Sequence, residues 1–368
     1  MQYLVVSHYI PPRAGGLERH TSNLVEALAT IPNNLVTVLT SRQSQVDDQI
    51  LMIDNVKLIK LDSYFSTTRF PVPKFTSSNL KVLGQIRESG HDKMFIQSHL
   101  FLLSTLAAVF FRKIPKICWV NHGSGFVKTN NSFINFFLRF YELGQIRIMS
   151  RFCNQFFSVS TESANWIAHI SKRSFEIVPN GIQSRLISPR ENFPNSDSEL
   201  KLLFVGRLIL SKGALDSMEF YRHHFFLEQR EFDVSMTVVG DGADSNELKD
   251  FCKRSNLPVN FLGALNHFEV IEQMTSHDIL LFFSDYPEGL PTVVLEAFAT
   301  GMCVISNSQI GASIFKEIGS IFFLTLDSDF PKLSSILSEL RKQHGSQELQ
   351  QKRLSDFYTW EILIDKFL

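Results

Sequence analysis

Short apolar runs without polar–apolar alternation recur along the chain, each followed by a loop and a segment of helical periodicity. In the first half they fall at Tyr3–Ser7, Leu35–Thr40, Met94–Gln97, Lys116–Val120 and Gln155–Ser158. In the second half they fall at Leu202–Val205, Ser235–Val239, Val259–Leu262, Ile279–Phe283, Cys303–Ser306 and Ile321–Leu324. A strand wetted on one face alternates, whereas a strand covered on both faces reads as a continuous apolar run. The intervening segments are amphipathic: Leu17, Leu24 and Leu28 share a helical face, as do Leu290, Val294 and Ala297. Strand–helix repetition of this kind predicts an α/β fold with parallel sheets, right-handed crossovers and ligand sites at the carboxyl ends of the strands.

The chain has 368 residues, a length that favours two domains. The polar, proline-containing stretch 187–199 precedes a fresh strand and reads as a linker. The expected division is therefore residues 1–186, the linker 187–199 and a second domain at 200–350. A formal net charge of −1 with dispersed basic residues argues against nucleic acid as a partner. Cys118, Cys153, Cys252 and Cys303 lie far apart without a CxxC pair, as reduced cytosolic thiols do. The N-terminal Met1–Ser7 lacks the basic start of a signal peptide, and stretches such as Phe101–Phe111 are too short to span a bilayer. A cytoplasmic protein, soluble or peripheral, is expected.

Three segments of the second half carry residues suited to an anionic, hydroxyl-rich ligand. Gly206-Arg207 closes a strand, and Lys212-Gly213 precedes a helix starting near Ala214. Free N–H groups at that helix start, flanked by two cations, would cradle a diphosphate; an ordinary surface loop is the alternative. Gly240-Asp241-Gly242 ends another strand, where two glycines permit close approach of a ligand or form a plain tight turn. In Glu288-Gly289-Leu290-Pro291-Thr-Val-Val-Leu-Glu296, Glu288 lies in a loop and Glu296 about one and a half turns into a helix. Each carboxylate can accept two hydrogen bonds, which matches the vicinal hydroxyls of a sugar or ribose; a glutamate placed for the helix macrodipole plus a solvated one is the alternative.

With Gly301 and Gly311 downstream, this ordered set resembles the retaining glycosyltransferases of family 4, which have the GT-B fold: two Rossmann-like domains with a cleft between them. The resemblance implies that Arg207 and Lys212 bind the diphosphate of a nucleotide-sugar donor, that Glu288 meets the transferred sugar and that Glu296 holds the ribose. It also implies donor contacts at Gly206, Gly240, Gly242, Gly289 and Leu290. In the first half, Gly15, Gly16 and Glu18 open a helix in a way similar to the family's glycine loop beside donor phosphate and acceptor. His122 in Asn121-His122-Gly123 matches a histidine that contacts the transferred sugar. His99 is an acceptor-side candidate, with Gln97 standing where the family often has a further histidine. Asn180-Gly181 matches a hinge turn, and Gly311-Ala312 departs from a Gly-Gly pair. Phe357–Glu361 matches the C-terminal helix, so residues 351–368 are expected as a helix crossing back to the first domain, with acceptor in the first domain and nucleotide sugar in the second. The implied activity is hexosyl transfer with retention onto a carbohydrate or lipid-linked sugar acceptor, in cell-surface polysaccharide or lipopolysaccharide synthesis. A nucleotide-sugar epimerase and a non-catalytic sugar-nucleotide binder are the alternatives.

No cofactor is expected. Asp327-Ser328-Asp329 looks like a metal-binding DxD but reads better as a polar turn, so no essential metal is expected. Thirty-four phenylalanines suit either an aromatic core or contact with a membrane. The segment Asn131–Tyr141, with phenylalanines at helical spacing and Lys128, Arg139, Arg147 and Arg151 nearby, is the candidate contact with the inner membrane face; an amphipathic helix packed into the first domain is its alternative.

Overall fold

The computed structural model describes the chain except residues 11–14, 43–52, 66–70, 128–130, 189–198, 228–232, 286–288, 308–311, 325–329 and 345–346, and the side chains of 227, 312, 313 and 347. It forms two compact units. One comprises Met1–Gly181, Pro287–Leu290 and Trp360–Leu368; the other comprises Ile182–Tyr286 and Pro291–Thr359.

The first unit is built on strands β1 (Gln2–Val6), β2 (Leu35–Ser41) and β3 (Val56–Leu61), a short antiparallel ribbon of β4 (Ser63–Tyr64) and β5 (Val72–Pro73), then β6 (Lys93–Gln97), β7 (Lys116–Asn121), β8 (Gln155–Ser158) and β9 (Glu176–Ile177). Its main sheet runs β3-β2-β1-β6-β7-β8-β9, with every neighbouring pair parallel. Successive side chains point to opposite faces, and both faces are filled. Leu4, Val6, Met94, Ile96, Ile117 and Trp119 enter one core, while Tyr3, Val5, Phe95, Cys118 and Val120 enter another. Two cores per strand explain why the sequence does not alternate. The helix Trp360–Phe367 belongs to this unit: Trp360, Leu363, Ile364 and Phe367 pack in the second of these cores, and the buried Lys93 ammonium donates to the Phe367 carbonyl.

The second unit carries β10 (Leu200–Val205), β11 (Val234–Val239), β12 (Val259–Gly263), β13 (Ile279–Phe282), β14 (Cys303–Ser306) and β15 (Ile321–Phe323) in the order β12-β11-β10-β13-β14-β15, again all parallel. Each sheet reverses its winding beside its first strand, at β1/β6 and at β10/β13. Ligands of open α/β sheets bind at such switch points, outside the carboxyl ends of the strands. The two Rossmann-like α/β units confirm the expected fold class.

The chain differs from expectation at two boundaries and in one added strand. The first unit ends at Gly181 instead of 186, because the Ile182 amide donates to Tyr358 and Ile182 pairs with Thr359 of the second unit. The C-terminal segment is two helices, Gln347–Phe357 in the second unit and Trp360–Phe367 in the first. Strand β3 was not expected: Lys57 and Lys60 interrupt its apolar run, as an edge strand permits. Most of the 187–199 linker lies outside the described residues.

Candidate active site

In the second unit the loops after β10, β11 and β13 interlock. The Gly206 amide donates to the Val239 carbonyl at 3.0 Å and the Leu208 amide to Asp241 at 3.0 Å. The Asp244 amide returns to the Leu208 carbonyl, and its carboxylate accepts from the Leu210 amide at 2.8 Å. Gly240, at φ 136°, brings its α-carbon so close to Gly206 that a β-carbon there would lie 1.8 Å from the Gly206 oxygen; at Gly242 one would lie 2.2 Å from the Leu208 oxygen. Backbone pressed on backbone is one physical reason for glycine at these two positions.

Lys212 ends a turn of 3₁₀ helix, Leu210–Lys212, which Gly213 closes at φ 75° before the helix Ala214–Leu227. A β-carbon at Gly213 would lie 1.9 Å from the Phe283 carbonyl oxygen, at the end of β13, and the Asp285 amide donates to Ser211 at 3.1 Å. Arg207 and Lys212 are both half-buried and sit on loops held from two sides at the switch point of the sheet. Two cations and a helix start give this corner a positive potential suited to a diphosphate. Asp216, in the first turn of that helix, has its carboxyl pushed up by burial and by Asp285.

Glu296 is the fifth residue of the helix Thr292–Ala299 and is buried. Its Oε1 lies 2.8 Å from Nε2 of His267. His267 is the first residue of a helix whose entry is fixed by a capping box: the Asn266 side chain accepts from the Glu269 amide and Glu269 accepts from the Asn266 amide. His267 was not singled out from sequence. Pro291 stands one position before the helix, as its N-cap.

In the first unit His122 follows β7 and is half-buried. Its Nε2 lies 2.7 Å from Oε1 of the buried Gln97, at the end of β6. That bond fixes the orientation of the ring. Burial pushes the His122 pKa down to about 3, which keeps the ring neutral. The ring of His20 meets His122 edge-on at 4.5 Å, and burial and His122 together lower the pKa of His20. Gln97, the departure from the family pattern, is thus the partner that orients His122. The Gly289-Leu290 segment belongs to this unit, where a β-carbon at Gly289 would lie 2.2 Å from the His122 carbonyl oxygen. The Asn180 side chain holds the Leu290 carbonyl.

Gly15 precedes the helix Gly16–Thr30, and the carboxylate of Glu18 folds back over it. Glu18 also lies 3.5 Å from His8, so the open N-terminus of this helix already faces a carboxylate. His99 is buried between Trp119 and Trp166, with Nε2 3.5 Å from Oε2 of the buried Glu142. That places His99 in the packing beneath a long helix, Ser132–Phe152. Glu288, Gly311, Asp327 and Asp329 lie outside the described residues.

Two family models match the chain, "Glycosyltransferase Family 4" over residues 14–185 and "Glycosyl transferases group 1" over residues 188–317. An uncharacterized glycosyltransferase of Methanocaldococcus jannaschii is 22% identical over 326 residues, covering 85% of this chain and 82% of the relative. The phosphatidylinositol N-acetylglucosaminyltransferase gpi3 subunit of Schizosaccharomyces pombe is 21% identical over 369 residues, covering 97% and 77%. Among solved structures, Anabaena HepE in complex with UDP and glucose superposes with TM-score 0.71 at 15% identity, covering 100% of this chain and 98% of HepE. Sucrose-phosphate synthase from Thermosynechococcus elongatus gives 0.74 at 17%, covering 100% and 97%.

Proposed function

The chain is a glycosyltransferase of GT-B type and family 4-like kind, and on that premise we propose that it moves a hexosyl group, with retention, from a nucleoside diphosphate sugar to a carbohydrate or lipid-linked sugar acceptor. The observation that carries the reading is the interlocked corner at the β10/β13 switch point, where backbone contacts at Gly206, Gly213, Gly240 and Gly242 fix the loops bearing Arg207 and Lys212. Negative charge grows on a diphosphate as the sugar departs, and fixed cations stabilise that charge more in the transition state than in the ground state. The buried Glu296, oriented by His267, suits the vicinal hydroxyls of a ribose. Glu288 is assigned to hydroxyls of the transferred sugar. His122, held neutral and oriented by Gln97, suits a hydrogen bond to the sugar instead of an ion pair with phosphate.

For retention, the acceptor hydroxyl attacks the face from which the diphosphate leaves, and the leaving phosphate oxygen takes the hydroxyl proton. With the charge of the leaving group neutralised by Arg207, Lys212 and a helix start, transfer needs no divalent ion. Cell-surface polysaccharide or lipopolysaccharide synthesis at the inner membrane face fits such chemistry. The test is turnover of UDP-, GDP- and ADP-sugars in chelator, with and without lipid-linked and soluble sugar acceptors, read by NMR of the anomeric proton. Acceptor-dependent product with the donor's configuration supports the proposal; an inverted product, or conversion of donor to an epimer without acceptor, overturns it.

A further inference from the structure

The helix Ser132–Phe152 exposes four phenylalanine rings to solvent: Phe133 at 71%, Phe136 at 59%, Phe137 at 56% and Phe140 at 60%. The rings contact each other edge-on, with centroids 4.8 to 5.6 Å apart. At 3.6 residues per turn these four, with Gly144, Arg147 and Arg151, fall within an arc of about 100°. The opposite face carries the buried Glu142, Gln145, Ile146 and Met149. The helix therefore packs into the first unit, and the packed face is not the phenylalanine face.

Along the exposed stripe the chemistry changes from aromatic to basic. Arg147 and Arg151 line a groove of about 670 Å³ together with Lys172 and Arg173, where the helix Thr161–Ser171 ends, and with the hydroxyl-bearing Ser150 and Ser171. The guanidinium of Arg173 donates to the Ser150 carbonyl at 3.1 Å, tying the two helix ends together. Among the described residues no carboxylate lines the groove. Phenylalanines and cations thus occupy one face over about 27 Å, at ~1.5 Å of rise per residue between Phe133 and Arg151.

We propose that this stripe docks the enzyme on an anionic phospholipid bilayer, the phenylalanine patch entering the interface and the groove of Arg147, Arg151, Lys172 and Arg173 taking lipid phosphate. An aromatic surface beside a basic one matches the acyl boundary and the charged headgroups of a monolayer. The same stripe of a second copy, paired face to face, would set like charges against these cations. The docking helix is also tied to the site loops of its own unit: Glu142 accepts from the Val127 amide at 3.0 Å, in the loop that follows His122, and the Tyr141 hydroxyl donates to the Leu100 carbonyl at 3.1 Å, beside His99. The proposal rests on the reading of the protein as a transferase acting at a membrane surface, and deepens it by naming the surface.

Flotation with vesicles of phosphatidylcholine, alone or mixed with phosphatidylglycerol, tests it without any sugar. The wild type should float with the anionic vesicles and dissociate as salt is raised, because screening weakens the charged part. Arg147→Glu/Arg151→Glu should lower affinity for anionic vesicles at least about tenfold. Phe136→Ser/Phe137→Ser should release the protein from both kinds of vesicle. All four positions are exposed, and an unchanged thermal midpoint confirms that the variants fold. A wild type that stays soluble with anionic vesicles at low salt overturns the proposal. So does wild-type binding by both double variants, or a dimer that Phe136→Ser/Phe137→Ser abolishes. Transfer to a soluble acceptor, measured on the same variants, separates failure of docking from failure of the transferase reading.

Discussion

Replacing Glu296 with glutamine keeps the shape of the side chain and removes its charge. The wild-type carboxylate is buried and has one oxygen held by His267 at 2.8 Å. It reaches the proposed ribose already oriented, so its hydrogen bonds to the two hydroxyls are charge-assisted and cost little reorganisation. Hydrogen bonds to a charged group contribute about 1.5–3 kcal/mol, against roughly 0.5–1.5 kcal/mol between neutral partners. Glutamine also turns one acceptor into a donor aimed at the ligand or at His267. Losing one charged contact should therefore raise the Kd of the bare nucleoside diphosphate roughly 10- to 150-fold. His267→Ala, which leaves the carboxylate but frees its rotamer, should cost less, within about tenfold. Glu288→Ala should leave the bare nucleotide unaffected and damage transfer only. Isothermal titration calorimetry measures all three at matched thermal stability. Wild-type affinity for the nucleotide in Glu296→Gln, or a loss confined to the sugar-bearing donor, would refute the assignment of Glu296 to the ribose.

Arg207→Ala and Lys212→Ala should each lower kcat by about 10²–10³, by analogy with removal of an oxyanion donor, with little change in KM; steady-state kinetics decide this, and near-normal kcat in both removes the cradle. Gly213→Ala should destabilise the second unit by at least 1–3 kcal/mol, the cost of a left-handed alanine before its contact with the Phe283 carbonyl is counted, seen as a lowered urea midpoint. Stability should fall on acidification below about pH 6.5. His122 and His224 have folded pKa values pushed down by burial to about 3 and about 4, so below 6.5 the unfolded chain binds protons that the folded chain does not. Each contributes a slope of up to about 1.4 kcal/mol per pH unit, flat above neutrality; a thermal midpoint unchanged between pH 7 and 5 would contradict it.

Much of the architecture was legible because strands serving two cores cannot hide. The runs at Met94–Gln97 and Cys303–Ser306 are apolar at nearly every position, as burial on both faces demands. Strand β3 was missed because Lys57 and Lys60 break its run, and the two-residue β9 leaves almost no pattern to read. The glycines were found but half understood. Sequence marks Gly240 and Gly242 as special without saying whether a ligand or a neighbouring backbone approaches, and the structure puts Gly206 and Leu208 there. His267 was invisible because its capping box explains its surroundings, and its partner Glu296 lies 29 residues further on. Gln97 was noticed only as a departure from a pattern. Its hydrogen bond to His122, across adjacent strands, comes from sheet topology that no local spacing encodes.

The central claim is that the second unit holds a nucleoside diphosphate through Arg207 and Lys212 without a metal. Titrating UDP, GDP and ADP in excess chelator into the wild type and into Arg207→Ala/Lys212→Ala tests it most directly. One of the three should bind the wild type, and the double variant, equally stable, should bind it at least about tenfold more weakly. Binding that requires a divalent ion, or equal affinity in the two proteins, would contradict it.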